Sequence, residues 1–160
     1  MSSSFFRLSQ RSLDKLDGVH PDLVAVVKRA IELTDVDFGV TYGVRTLAEQ
    51  KELYASGRSQ TMKSKHLIQG DGYSHAVDLV AYFGSDISWE LNVYDNICDA
   101  MAQAAEELEV PIKWGAAWSE GDIRYYDDTA EDAMNAYIDL RRSEGRRPFI
   151  DAPHFELMMG

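Results

Sequence analysis

One carboxylate sits inside an apolar run. Residues 75–82 read His-Ala-Val-Asp-Leu-Val-Ala-Tyr, the composition of a buried, valine-rich strand. Burying an unpaired carboxylate costs several kcal/mol. A fold that takes this segment inside must therefore bring a cation to Asp78. Strand alternation decides which neighbours can help. His75, Val77, Leu79 and Ala81 face one way, and Ala76, Asp78, Val80 and Tyr82 the other. His75 thus points away from Asp78 and reads as an outlying or surface residue. His66, in Ser64-Lys65-His66 on the loop before the strand, is free to fold back over the aspartate's face.

A second imidazole comes from near the C-terminus, in Asp151-Ala152-Pro153-His154-Phe155-Glu156-Leu157. If this is a strand, His154, Glu156 and Met158 share one face while Phe155 and Leu157 take the other. Two neutral imidazoles and a carboxylate, with a further carboxylate beside them, make up a catalytic metal site with one position left for water. Zinc suits that donor set, because imidazole is a softer ligand than magnesium or calcium prefers. Asp151, brought round by the turn at Pro153, is the candidate general base. Glu156 is the alternative, or else the group that orients His154.

The rest of the chain is consistent with one small α+β domain, an antiparallel sheet with helices packed on it. Its 160 residues, 45% hydrophobic and 27% charged, are enough for one core. Pro21 opens a helix to Thr34 with Leu23, Val26, Val27, Ala30 and Ile31 inward, and His20 stands at its entrance. Val36, Phe38, Val40, Tyr42 and Val44 alternate as a half-buried strand. Thr46 and Glu49 form a capping box for a helix through Tyr54, closed by Gly57. Ser88 is expected to cap a helix running to Leu108, and Ile112-Lys113-Trp114 to form a short strand after Pro111. A helix over Thr129 to Arg142 is acidic at its start and basic at its end, as the helix dipole favours. The last strand runs from Pro153 to Met159, and residues 1–6 are expected to be frayed.

Composition also excludes functions. A net charge of -11 argues against a nucleic-acid partner and against attachment to anionic membranes. No run approaches the roughly 20 apolar residues of a membrane span, and stable membrane insertion is not expected. The N-terminus lacks the pattern of a secretory signal, which implies accumulation in the cytoplasm. The single cysteine, Cys98, cannot form an internal disulfide. Its acidic neighbours would raise its pKa, so it reads as a small hydrophobe.

The motifs together resemble the zinc peptidoglycan peptidases, a family that includes phage L-alanyl-D-glutamate endopeptidases and D-alanyl-D-alanine carboxypeptidases. Its S-x-H, G-x-A-x-D and D/E-x-P-H-F elements match Ser64 to His66, Ser74 to Asp78 and Asp151 to Phe155. Gly43-Val44-Arg45-Thr46 matches its G-x-R-T element, and Ile112 to Gly115 its buried strand ending in W-G. The resemblance implies Zn2+ on His66, Asp78 and His154, with Asp151 as base. It places Arg45 on the substrate or the developing oxyanion, Ser64 on the metal loop or a substrate carbonyl, and Trp114 on the substrate side. It implies a monomeric endolysin, held in the host cytoplasm until lysis, that cuts an amide in the peptidoglycan stem peptide. The absence of an export signal and an aspartate base favour the L-alanyl-D-glutamate bond. The alternatives are a D-alanyl-D-alanine carboxypeptidase or dipeptidase and a non-catalytic wall-binding module. Three departures stand out: a spacer lengthened by Gln69 to Tyr73, Ser74 for the family glycine, and Ala117 where many endopeptidases carry aspartate. Residues 119–148 look like an inserted helical flap over the cleft.

Overall fold

The computed structural model describes residues 6–59 and 61–158. The expected fraying at residues 1–5 and the strand end at Met159 lie outside them. In chain order the elements are α1 (Gln10–Lys15), α2 (Pro21–Leu33), β1 (Asp37–Tyr42), α3 (Leu47–Ala55), β2 (Ala76–Phe83), β3 (Asp86–Ser88), α4 (Leu91–Leu108), β4 (Ile112–Trp114), α5 (Ala130–Ser143) and β5 (His154–Leu157). The sheet runs β1-β2-β5-β4 and every pairing is antiparallel, with β3 added to β2.

Val77, Leu79 and Ala81 of β2 turn inward as the alternation requires, and α2 and α4 cover them in one contiguous core. The five inward residues read for α2 are all buried, and α4 buries Ile97, Met101 and Ala104 along its stripe. His20 caps α2, its Nδ1 accepting from the Asp22 N–H at 3.1 Å. The Thr46/Glu49 capping box on α3 is complete, and Thr129 forms another with Asp132 at the start of α5. Cys98 is fully buried, and burial with Asp99 and Asp95 pushes its thiol well up. Among the described residues no helix is long and apolar enough to cross a membrane.

Four features differ from expectation. The short helix α1 was not anticipated. It lies against β1, where the Ser12 hydroxyl accepts from the Val40 N–H at 2.9 Å and so satisfies part of that exposed edge. Ser88 does not cap α4: it ends strand β3, and Glu90 takes the N-cap position without a side-chain bond. In β1 the register shifts between Val40 and Tyr42, pairing Val40 with Leu79 but Tyr42 with Asp78. This bulge reverses the parity, so Phe38 and Val40 are buried while Tyr42 is 51% exposed on the aspartate's face.

The fourth concerns residues 119–148, which are not a flap. Helix α5 buries Ala130, Ala133, Met134 and Tyr137 in the core, and no residue of the segment lines the cleft that Asp78 faces. Its role is to buttress. The Tyr137 hydroxyl donates to the Phe149 carbonyl at 3.2 Å and accepts from the Phe149 N–H at 3.1 Å, fixing an aromatic ring at the cleft's edge.

Candidate metal centre

Three elements deliver one ligand each. Asp78 projects from the outer face of β2, and antiparallel pairing sets His154, the first residue of β5, directly opposite it. His66 arrives from the loop after α3. Its N–H donates to the Ser64 hydroxyl at 3.1 Å, and its carbonyl accepts from the Arg45 N–H at 2.9 Å. Ser64 is buried and shapes this loop. His66 Nε2 lies 3.1 Å and His154 Nδ1 3.2 Å from Asp78 Oδ1. The ligand atoms of all three residues lie within 4.8 Å of one another.

The hydrogen bonds on the far side of each ring show what this arrangement needs. His66 Nδ1 lies 2.8 Å from the Gly43 carbonyl, and His154 Nε2 2.8 Å from Glu156 Oε1. Both outer nitrogens therefore carry the proton and donate it, which leaves a lone pair on each inner nitrogen. Two lone pairs and a carboxylate oxygen then converge in a mostly buried space, an arrangement that requires a cation. Ligand bonds of ~2.0–2.1 Å to a tetrahedral ion would put neighbouring donors ~3.3 Å apart, close to the 3.1 and 3.2 Å from Asp78 Oδ1 to the two imidazoles. The residues fit a divalent metal with nitrogen and oxygen ligands.

The surrounding charges agree. Burial opposes ionisation of Asp78, but His66 and His154 outweigh it and hold the carboxyl far below its ordinary range. Burial likewise opposes charge on His154, yet Asp78 and Glu156 push the metal-free imidazole up to about 10, so that a proton takes the inner nitrogen until a metal ion displaces it. Glu156 is lowered against its own burial by the bond to His154. The glutamate is thus engaged in orienting a ligand. Asp151 differs: burial, then Asp78, raise its affinity for a proton. It lines the same cleft and makes no side-chain hydrogen bond among the described residues.

Arg45 also reaches the centre. One guanidinium nitrogen is 3.9 Å from Asp78 Oδ2, a second donates to Gln50 Oε1 at 2.9 Å, and the group lies over the Tyr42 ring. Gln50 is completely buried although it sits on α3. Its amide donates to the Ser59 hydroxyl at 2.8 Å and to the Thr61 carbonyl, tying the following loop to the arginine.

Not every expected residue is present. Trp114 has no exposed surface. Its indole N–H donates to the Ala152 carbonyl at 2.7 Å and its ring stacks on Phe155, so it belongs to the core rather than the substrate side. The cleft aromatics are Trp118, Phe149 and Tyr42. His75 stays away from the metal ligands, as strand parity requires. Its Nε2 pairs with Asp71 Oδ2 at 2.7 Å and closes the lengthened spacer, in which the Gln69 N–H donates to the Tyr73 carbonyl. Ser74, in place of glycine, is fully buried with its hydroxyl 3.3 Å from the Lys65 and Ala76 carbonyls.

Sequence reasoning missed Tyr42, Gln50, Trp118 and Phe149. A bulge hides the first, and a buried glutamine on a polar helix gives no periodic signal. Nothing in a linear motif distinguishes Trp118 from Trp114.

Comparison with known proteins agrees with the geometry. The chain matches the family model of phage L-alanyl-D-glutamate peptidase over residues 4–158. It is 35% identical over 128 residues to the L-alanyl-D-glutamate peptidase of Escherichia phage T5, covering 77% of this chain and 88% of that protein. Its fold is similar to the crystal structure of the Serratia marcescens L-Ala D-Glu endopeptidase ChiX. The TM-score is 0.68 and the identity 32%, over 95% of this chain and 90% of that one. Nearly the whole length matches, and the same stretch contains the converging histidines and aspartate: the chain belongs to the phage L-alanyl-D-glutamate peptidase family.

Proposed function

We propose that this protein is a zinc-dependent endopeptidase that hydrolyses the L-alanyl-D-glutamate amide in the peptide stem of peptidoglycan, acting as a lysin on the bacterial wall. The observation that carries the reading is the pair of inward lone pairs on His66 and His154 facing Asp78, each fixed by an outward bond to Gly43 or Glu156. Zinc held there supplies a Lewis acid and a bound water of lowered pKa.

The chain's own residues supply the rest. Asp151 is the proton carrier, because burial and Asp78 raise its proton affinity while it stays free of competing side-chain bonds. It takes a proton from the attacking water and returns it to the departing amine. Arg45, anchored by Gln50, points a permanent charge at the scissile carbonyl and stabilises the oxyanion as it forms. Ser64 holds the His66 loop rather than the substrate.

The direct test is digestion of purified sacculi followed by mass spectrometry of the fragments. New amino termini at D-glutamate, lost on chelation and restored by zinc, are the expected result. Release of terminal D-alanine, or cutting that persists without metal, would overturn the assignment.

A further inference from the structure

The cleft is lined by two chemically different sets of side chains. Its cavity, about 520 Å³, includes Trp118 and Phe149, whose rings stack at 6.2 Å. It is also lined by the cations Arg45, Arg58, Lys63 and Lys65. This is unusual in a chain with a net charge of -11. Four cations line the cavity against three carboxylates, and those three are Asp78, Asp151 and Glu156, all engaged in the metal centre or its proton transfer. A divalent ion would increase the positive excess.

Arg45 is tied to Asp78 and Gln50, and Lys65 helps to hold the Glu156 carboxyl down, but the other cations are little used by the fold. Neither lysine forms an ion pair among the described residues. Among the described residues the Arg58 guanidinium donates only to the Ser56 hydroxyl, at 3.0 Å. The backbone that carries them is nevertheless held firmly. Gln50 grips Ser59 and Thr61, the Lys63 N–H donates to the Thr61 hydroxyl at 2.9 Å, and the Lys65 carbonyl accepts from the His75 N–H at 2.8 Å. Positive charge is thus carried on a well-held backbone along a concave cleft, where its field is focused.

The substrate class supplies a matching anion. A glutamyl residue whose nitrogen lies in the scissile amide keeps two carboxyl groups, and the stem continues through only one. The other is a free carboxylate unless it is capped as an amide. The alanyl half offers a methyl group and no charge. We infer that Lys63 and Lys65, assisted by Arg58, bind the free carboxylate of the D-glutamyl residue, so that the enzyme discriminates carboxylate from carboxamide at this position. The aromatic pair then takes the alanyl side, which sets the direction in which the peptide lies across the metal. This inference rests on the proposed function.

The test uses the zinc-loaded enzyme and two synthetic stem peptides that differ only in whether the free D-glutamyl carboxyl is ionised or amidated. Wild type should favour the carboxylate by about tenfold in kcat/KM, mainly through KM, with the preference shrinking in high salt. The double variant Lys63→Gln/Lys65→Gln should bring the ratio to within about twofold. Lys63→Glu/Lys65→Glu should reverse it. Lys51→Glu, an equal charge change outside the cleft, should leave the wild-type ratio. Equal efficiency of wild type on both peptides would overturn the inference and leave the proposed function standing, as would an unchanged ratio in the reversed variant with normal zinc content. Failure to cut either peptide would remove the proposed function and this inference with it.

Discussion

Gly115 should be irreplaceable for turnover, for a reason of space rather than backbone freedom. It sits at the end of β4, where its N–H donates to the His154 carbonyl and its carbonyl accepts from the Asp151 N–H, both at 2.8 Å. The segment carrying the proposed base and the last candidate metal ligand is therefore laced to this residue. A Cβ placed on Gly115 would lie 2.9 Å from His154 Cβ and closer still to the Asp151 carbonyl oxygen. Carbon atoms need ~3.5–4.0 Å, so Gly115→Ala must push the Asp151–His154 turn away by roughly 1 Å. Overpacking of this kind costs about 1–3 kcal/mol, which lowers Tm by several degrees in a chain of this size. Misplacement of reacting groups by ~1 Å costs on the order of 100-fold in rate. The expected outcome is a folded protein whose kcat falls about 100-fold while KM changes little. Gly70→Ala, where nothing lies within 4 Å, is the matched control. If Gly115→Ala keeps a kcat within about threefold of wild type, the position of Asp151 does not limit the reaction, and its role as base fails.

Other substitutions separate the remaining roles. Asp151→Asn should retain zinc by elemental analysis and lose turnover by about 10²–10⁴-fold; full activity would transfer the base role to Glu156. His66→Ala should lose metal and activity together, whereas His75→Ala should keep both and only loosen the spacer at residues 69–73, as read by proteolysis. Asp95 provides a pH test away from the cleft. Burial, then Glu131 and Asp99, push this carboxyl from 3.8 up to about 6, and its Oδ2 has no partner. Between those values the folded chain holds a proton that the unfolded chain releases, so stability falls as pH rises through about 4 to 6. The loss is on the order of 2–3 kcal/mol. Asp95→Asn should therefore raise Tm at pH 7.5 and give no gain near pH 4; an equal gain at both would refute the linkage.

Much of this centre was legible because it depends on parity. The faces of β2 and β5 follow from alternation, which set His75 apart from Asp78 and put His154 with Glu156, while the donor chemistry and the family resemblance joined the two strands in one site. The Thr46/Glu49 capping box marked one helix start in the same local way, and the acid-to-base charge order marked the helix from Thr129. What stayed hidden depends on non-local events. The bulge that turns Tyr42 toward Asp78 leaves no mark on the alternating pattern of β1, since the residue type suits either face. The six-residue α1 is held by tertiary contact with β1, and the three-residue β3 by pairing with β2, neither by a periodic core of its own. Trp114 ends β4 with its ring in the core, whereas Trp118 opens a short 3-10 turn beyond it and stacks on Phe149, a difference made by tertiary packing.

The geometry of the candidate metal site is consequently enforced by the hydrophobic core. Asp78 and His154 lie 76 residues apart in sequence, and only the β2–β5 register brings them opposite each other. Slipping β5 by one residue would turn His154 and Glu156 into the core and place Phe155 beside the carboxylate. The same slip would expose Phe155 and Leu157, now 0% and 1% exposed, at a cost of about 1.5–3 kcal/mol each. Two apolar side chains with no chemical role therefore hold the register of two ligands by several kcal/mol. The third ligand is held differently, by the Gly43 carbonyl on His66, and a Cβ on Gly43 would overlap the Lys15 carbonyl. The centre thus rests on one register and two close backbone approaches, at Gly43 and Gly115. These positions are where small substitutions should reach the chemistry without touching a ligand.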